Sequence, residues 1–251
     1  MVYIKEIVLS VSKQTPARRP LRDALQSLAG SGSVTVTLLL DTGIMGTGTV
    51  GFGRIRGAPD VLATLIDQEL SPLVIGRDPA DVRAIHAEML RELEYHGAFG
   101  LAMFGVAAVD TALWDCWGKI LGIPCHKLWG TVRASVPAYA MVGWLNYTDE
   151  EVVSICKKAQ SQGFHAVKIK VGYPALEQDI HRVQVVQKAL GPDVKLMVDA
   201  NQTLTVAEAI RRGRVFHEMG CYWWEEPIPA QDLDGYTHLS QVLDIPVATG
   251  E

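Results

Sequence analysis

The alternation of apolar and polar positions changes character near residue 130, and the two halves predict different elements. In the first half "SVTVTLLL" alternates as a half-buried strand does, and "DTGIMGTGTVGFG" follows as a glycine-rich turn and a second strand. Helical periodicity then falls at about 59 to 71 and 79 to 94. A third, mostly apolar helix covers about 99 to 121 and ends at "LGIP", where Gly122 and Pro124 are stop signals. Strands followed by helices predict an α+β unit. From "VPAYAMV" onward strand-like runs recur near 135 to 142, 166 to 171, 194 to 199, 221 to 225 and 246 to 250, each separated from the next by a helical segment. Two of those helices begin with capping boxes, Thr148 to Glu151 and Thr205 to Glu208, in which hydroxyl and carboxylate satisfy backbone amides reciprocally. Repeated β-α units with short connections predict parallel strands, in an open doubly wound sheet or a closed barrel.

Composition narrows the picture. The chain has 251 residues, 48% of them hydrophobic and 20% charged, with a net charge of −5. No block of Lys and Arg stands out, so nothing favours nucleic acid or an anionic membrane. Lys5 and Glu6 interrupt the apolar start, and no uncharged run approaches the roughly 20 residues that span a bilayer. A cytoplasmic location is expected. Cys116, Cys125, Cys156 and Cys221 lack zinc or disulfide spacing and read as reduced, buried thiols.

The strand "AVKIKVG" carries the first chemical signal. Val167, Ile169 and Val171 point one way and Lys168 and Lys170 the other, which sets two ammonium groups in one small space. Later strands end in carboxylates: Asp199 in "LMVDANQ", Glu225 in "YWWEEP" and Glu251 in "VATGE". The intervals are 29 residues from Lys170 to Asp199, then 26 and 26, each about one strand-helix-strand unit. Polar groups at one height on four successive strands converge in a barrel mouth, which favours the barrel over the open sheet. Three clustered carboxylates call for a cation, and all-oxygen ligands suit Mg²⁺ first and Mn²⁺ second. An anionic substrate would then bridge metal and lysines, with Lys170 at its α-carbon as a base of lowered pKa. The metal would stabilise the second negative charge formed when the α-proton leaves. The reaction class is proton abstraction next to a carboxylate.

These motifs resemble the enolase superfamily, in particular the mandelate racemase and muconate lactonizing enzyme family. "DTGIMGTG" is similar to the family's N-terminal lid turn, and "AAVDTALWDCWGKILGIPCHKLWG" to its helix leading into the barrel. "GFHAVKIKVGYPALEQDI", "LMVDANQ", "WWEEPI" and "IPVATGE" match its barrel motifs in order. The resemblance implies an α/β protein: an N-terminal α+β capping domain over 1–130, then the first five β/α units of a barrel over 131–251. It implies Asp199, Glu225 and Glu251 as metal ligands, Lys170 as the base, Lys168 as its electrostatic partner and Asn201 near metal and substrate. Glu251 is similar to the mandelate racemase subgroup, which pairs the lysine with a His and Asp on later strands that this sequence does not contain. A truncated chain, inactive in isolation unless something supplies the missing strands, is therefore expected, and homo-oligomerisation is implied by the family.

The implied activity is Mg²⁺-dependent removal of the α-proton of a hydroxy-acid or sugar-acid anion through an enediolate, as a racemase or an acid-sugar dehydratase. An inactive homologue acting as a scaffold or binding subunit is the alternative, and a Schiff-base aldolase using Lys170 a third reading that the carboxylates oppose. Glu226 points to the opposite face if its strand continues, and reads as a hydrogen-bonding support for the site. Trp223 shares the face of Glu225 and is placed to wall the pocket. Trp114 and Trp117 read as core or interface residues, and His165, at a strand's amino end, as structural. "GTGTVG" does not open a helix and so is not a dinucleotide site; it reads as a flexible turn that closes over substrate, with Met45 able to set specificity.

Overall fold

In a computed structural model that describes residues 2–52, 55–97 and 100–250, the chain forms two compact units. The first comprises residues 1–18 and 28–134, the second 19–27 and 135–251. Residues 19–27 thus belong with the later part of the chain, which the sequence pattern did not suggest.

A three-stranded sheet, ordered β1 (Ile4–Arg22), β2 (Ser27–Leu40), β3 (Met45–Phe52), belongs to the first unit except for the end of β1 from Arg19 and the first residue of β2, Ser27. Strand β2 buries Val34, Val36, Leu38 and Leu40 on one face, as its alternation requires. It pairs antiparallel with β3, Gly32 opposite Phe52 and Leu39 opposite Met45. The connecting turn occupies residues 41–44, closed by the Gly43 amide on Leu40 O at 3.0 Å, with Gly43 at φ 84°. The glycine-rich turn expected further along is corrected: Gly46 and Gly48 lie inside regular strand β3. They are there because helix α4 (Leu101–Leu121) packs directly on the strand. A Cβ on Gly48 would fall 1.9 Å from Ala108 O, and one on Gly46 2.3 Å from Ala112 O.

Helices α1 (Ala58–Leu65), α2 (Ser71–Val74) and α3 (Val82–Gly97) complete this unit, with a short α5 (Cys125–Leu128) after α4. The single helix expected over 59–71 instead widens into a π-turn at Ile66–Leu70. Pro72 donates no hydrogen bond and its ring crowds the preceding turn, so the Ser71 amide and hydroxyl both bond Ile66 O. Helix α4 stops as the sequence predicted, with Gly122 left-handed at φ 67° and the Ile123 amide on Gly118 O. The core joins Val36, Leu38, Leu62, Ile66, Ile85, Met89, Val109 and Leu113.

The second unit is a five-stranded parallel sheet of a partial barrel: β4 (Ala140–Met141), β5 (Ala166–Lys170), β6 (Lys195–Asp199), β7 (Trp224–Glu225) and β8 (Val247–Ala248), in that order. Helices α6 (Asp149–Ser161), α7 (Leu176–Leu190), α8 (Val206–Glu218) and α9 (Leu233–Val242) connect them. Val167, Ile169, Leu196, Val198 and Trp224 pack against Val183, Val186 and Phe216 of the helices. Register sets Lys170 opposite Asp199 and Asp199 opposite Glu225, so these three groups sit at one height.

Helix α6 has the full capping box predicted at Thr148 and Glu151. The second box is corrected. Thr205 accepts the Glu208 amide, but the Glu208 carboxylate bonds the guanidinium groups of Arg211 and Arg212 instead of returning to the cap. Charge-assisted donors outcompete a backbone amide. Among the described residues no helix is long and apolar enough to cross a membrane, and the four cysteines are free.

Candidate active site

Strands β5, β6 and β7 place the candidate residues. Alternation along β5 sends Val167 and Ile169 to the helices and both lysines to the other face, where they are 6% exposed. Two ammonium groups tolerate this burial because two carboxylates stand opposite. Lys170 Nζ donates to Asp199 Oδ2 at 2.5 Å. Lys168 Nζ donates to Glu225 Oε1 and lies 3.5 Å from Asp199 Oδ2. The cluster is formally neutral, which is the condition for keeping charge inside a protein.

Burial works against the charge on Lys168, yet its hydrogen bond to Glu225 and the nearby Asp199 carboxylate outweigh it and hold the ammonium above the ordinary lysine range. Aromatic rings close the sides. Tyr139 lies 5.5 Å from Lys168 Nζ, and Trp144 5.3 Å from Lys170 Nζ. Trp223 donates its indole N–H to Glu225 Oε2 and stacks edge-on to Tyr139 at 5.2 Å between centroids. Tyr139 and Trp144 escaped the sequence reading, since one precedes a very short strand and the other sits in a loop where no periodicity marks its direction.

Asn201 does not continue the face of Asp199. The strand ends at Asp199, and Asn201 and Gln202 take φ values of 46° and 66°. The turn brings the Asn201 amide back to Asp199 Oδ1 at 2.9 Å and leaves Asn201 Oδ1 buried without a hydrogen-bond partner. Likewise β7 does not run on through Glu226, which has φ 43° and accepts from Gln202 Nε2 at 3.2 Å. Non-glycine residues in this region of backbone space cost about 1–3 kcal/mol each and are retained where a site needs the geometry. Glu251 lies outside the described residues.

Among the described residues no group of three or more His, Cys, Asp or Glu side chains is arranged to hold a metal. Asp199 and Glu225 do supply two carboxylates at one height, and Asn201, whose amide bonds Asp199 Oδ1, keeps a buried side-chain Oδ1 without a hydrogen-bond partner. This all-oxygen set fits a hard divalent cation.

Both halves of the chain are similar to known proteins. Residues 6–130 match the mandelate racemase/muconate lactonizing enzyme N-terminal domain, and residues 151–251 the enolase C-terminal domain-like family. The L-talarate/galactarate dehydratase of Salmonella typhimurium is 37% identical over 185 residues, which cover 73% of this chain and 46% of that protein. The D-galactarolactone cycloisomerase of Agrobacterium fabrum is 37% identical over 208 residues, covering 81% and 54%. A racemase from Streptomyces coelicolor, solved with bound magnesium, superposes with a TM-score of 0.93 at 30% identity, covering 99% of this chain and 69% of that one. The chain spans about half the length of the curated relatives it matches. With both halves matched and the lysines and carboxylates facing each other on adjacent strands, the chain belongs to the mandelate racemase/muconate lactonizing enzyme family of the enolase superfamily.

Proposed function

We propose that this protein carries out Mg²⁺-dependent abstraction of the α-proton of a hydroxy-acid or sugar-acid anion, as a dehydratase, cycloisomerase or racemase. The observation that carries the reading is the pairing of Lys170 with Asp199 and of Lys168 with Glu225 on three adjacent strands. The names of the relatives, acid-sugar dehydratases and cycloisomerases, support the substrate class.

Asp199 and Glu225, with Glu251, are the residues that would hold the cation, and Mn²⁺ is the alternative. When bound, the ion supplies positive charge where the substrate carboxylate gains its second negative charge. Lys170 takes the α-proton at Nζ. Lys168, held protonated by Glu225 and Asp199, keeps a positive charge beside the substrate carboxylate. The rings of Tyr139 and Trp144 exclude water from the two amines. Asn201 offers its unpartnered Oδ1 to a substrate hydroxyl or a cation, and Glu226 fixes the turn that presents it through Gln202.

Incubation with Mg²⁺ in D₂O across a panel of hydroxy- and sugar-acids tests the step. Solvent deuterium should enter the α-position of at least one acid, and be lost with Lys170→Ala; no exchange with any acid would overturn the reading.

A further inference from the structure

The turn that follows Lys170 is held by a buried ion pair that belongs to neither lysine nor carboxylate of the candidate site. Asp179 of α7 is fully buried and Arg212 of α8 is 3% exposed. Asp179 Oδ1 accepts the amides of Gly172 at 3.0 Å and Tyr173 at 3.1 Å. Its Oδ2 accepts from Arg212 Nη1 at 2.6 Å. Arg212 also donates to the carbonyls of Tyr173 at 2.8 Å and Pro174 at 3.1 Å, while its Nε reaches Glu208. Two donors and two acceptors of one turn are therefore gripped by a single pair of side chains.

A second buried arginine extends the grip. Tyr173 donates its hydroxyl to Leu145 O at 2.5 Å and accepts from Arg182 Nη2 at 2.7 Å. Arg182 Nη2 also reaches Leu145 O and Tyr147 O. Leu145 directly follows Trp144, the ring over Lys170, and the Lys170 amide itself bonds Gly143 O at 3.0 Å. The turns after β4 and β5 are thus joined through Tyr173.

Burying an ion pair is a poor way to gain stability, since desolvation offsets most of the attraction and apolar replacements of the same volume often do as well. Apolar side chains could not, however, satisfy four main-chain groups or set where they lie. We propose that Asp179 and Arg212, with Tyr173 and Arg182, form a clamp whose role is to position Lys170 and Trp144. These are positioning residues: none touches the reacting atoms. The inference rests on the role proposed for Lys170, and a misplacement of about 1 Å can cost on the order of 10²-fold in rate.

The test compares Asp179→Asn, Arg212→Lys and the milder Tyr173→Phe with the parent chain. Amide hydrogen exchange of residues 171–175 and 143–147 is followed alongside α-proton exchange kinetics. Loosening of these turns by about tenfold in the variants, with exchange in α9 unchanged, should accompany a fall of about tenfold or more in kcat and a KM within about threefold. Arg212→Lys, which keeps the ion pair and loses the carbonyl contacts, should fall between parent and Asp179→Asn. Turns that exchange as in the parent, or loosened turns with full kcat, would overturn the clamp. A parent chain that moves no α-proton from any acid would sink the proton-abstraction reading instead, and the clamp would then be decided by amide exchange in the two turns.

Discussion

Lys170 Nζ lies 2.5 Å from Asp199 Oδ2, across one step of the parallel register that sets β5 beside β6. The same carboxylate is thus both the lysine's counter-ion and a candidate metal ligand. Lys170→Ala should cut α-proton exchange by about 10³-fold, within the usual range for removing a general base. Removing one partner of a buried pair costs about 3–5 kcal/mol, and because Lys168 remains 3.5 Å from Asp199 the expected loss is smaller, about 2 kcal/mol. If Asp199 and Glu225 hold the cation, Mg²⁺ should raise the Tm of Lys170→Ala more than that of the parent, since the freed carboxylate gains the ion as its partner. Thermal unfolding with and without Mg²⁺ measures this, and equal shifts would remove Asp199 from the ligand set.

The contact between β3 and α4 predicts a sharp difference between two glycines. A methyl on Gly48 meets Ala108 O at 1.9 Å, whereas the nearest atom to one on Gly51 is 3.9 Å away. Gly48→Ala should therefore destabilise the protein by about 1–3 kcal/mol or more, as overpacking does, and Gly51→Ala should be near neutral. Urea unfolding midpoints at constant m-value compare the two.

The thiols should differ in reactivity. Burial pushes Cys116 up to about 11, and Cys156 and Cys221 up to about 12, while Cys125 is only half-buried. Thiolate is the reactive form, so at pH 8 a disulfide reagent should label Cys125 first and the other three only on unfolding. Fast labelling of Cys156 or Cys221 in the folded protein would contradict the packing around them.

Glu208 ties stability to acid pH. Hydrogen bonds from Arg211 first and Arg212 next, opposed by slight burial, hold its carboxyl at about 2, below the ordinary value near 4.5. The folded state binds the proton less readily than the unfolded one, so this contribution is complete above about pH 4.5 and disappears as pH falls toward 2. Glu208→Gln should lower the Tm at pH 7, and the gap from the parent should narrow in scans at pH 4 and pH 3. A constant gap across that range would mean that the charge is not what the variant removes.

The placement of the candidate lysines and carboxylates was legible in the sequence. Period-two alternation requires Lys168 and Lys170 to share a face, and a parallel sheet requires residues one β-α unit apart to lie at similar heights. The burial of Val167 and Ile169 and the pairing of Lys170 with Asp199 follow from those two rules. What they do not contain is the path of the chain once a strand ends. Asn201 and Glu226 leave their strands with positive φ, so alternation no longer says where their side chains go. Pairing between side chains far apart in sequence is equally silent. Asp179 finds Arg212 33 residues away because both side chains converge on the turn at Gly172 to Pro174; Glu208, only three and four residues from Arg211 and Arg212, turns from its predicted cap because they are stronger donors.

Local pattern, then, decided the β-α alternation of the later half, the end of helix α4 and which face of β5 carries charge, because those depend only on backbone period and chain connectivity. Tertiary structure alone decided which carboxylate meets which lysine, why β3 must be glycine-rich and what clamps the turns over the site. Such distances arise only when whole elements pack, where desolvation and close contact outweigh local preference.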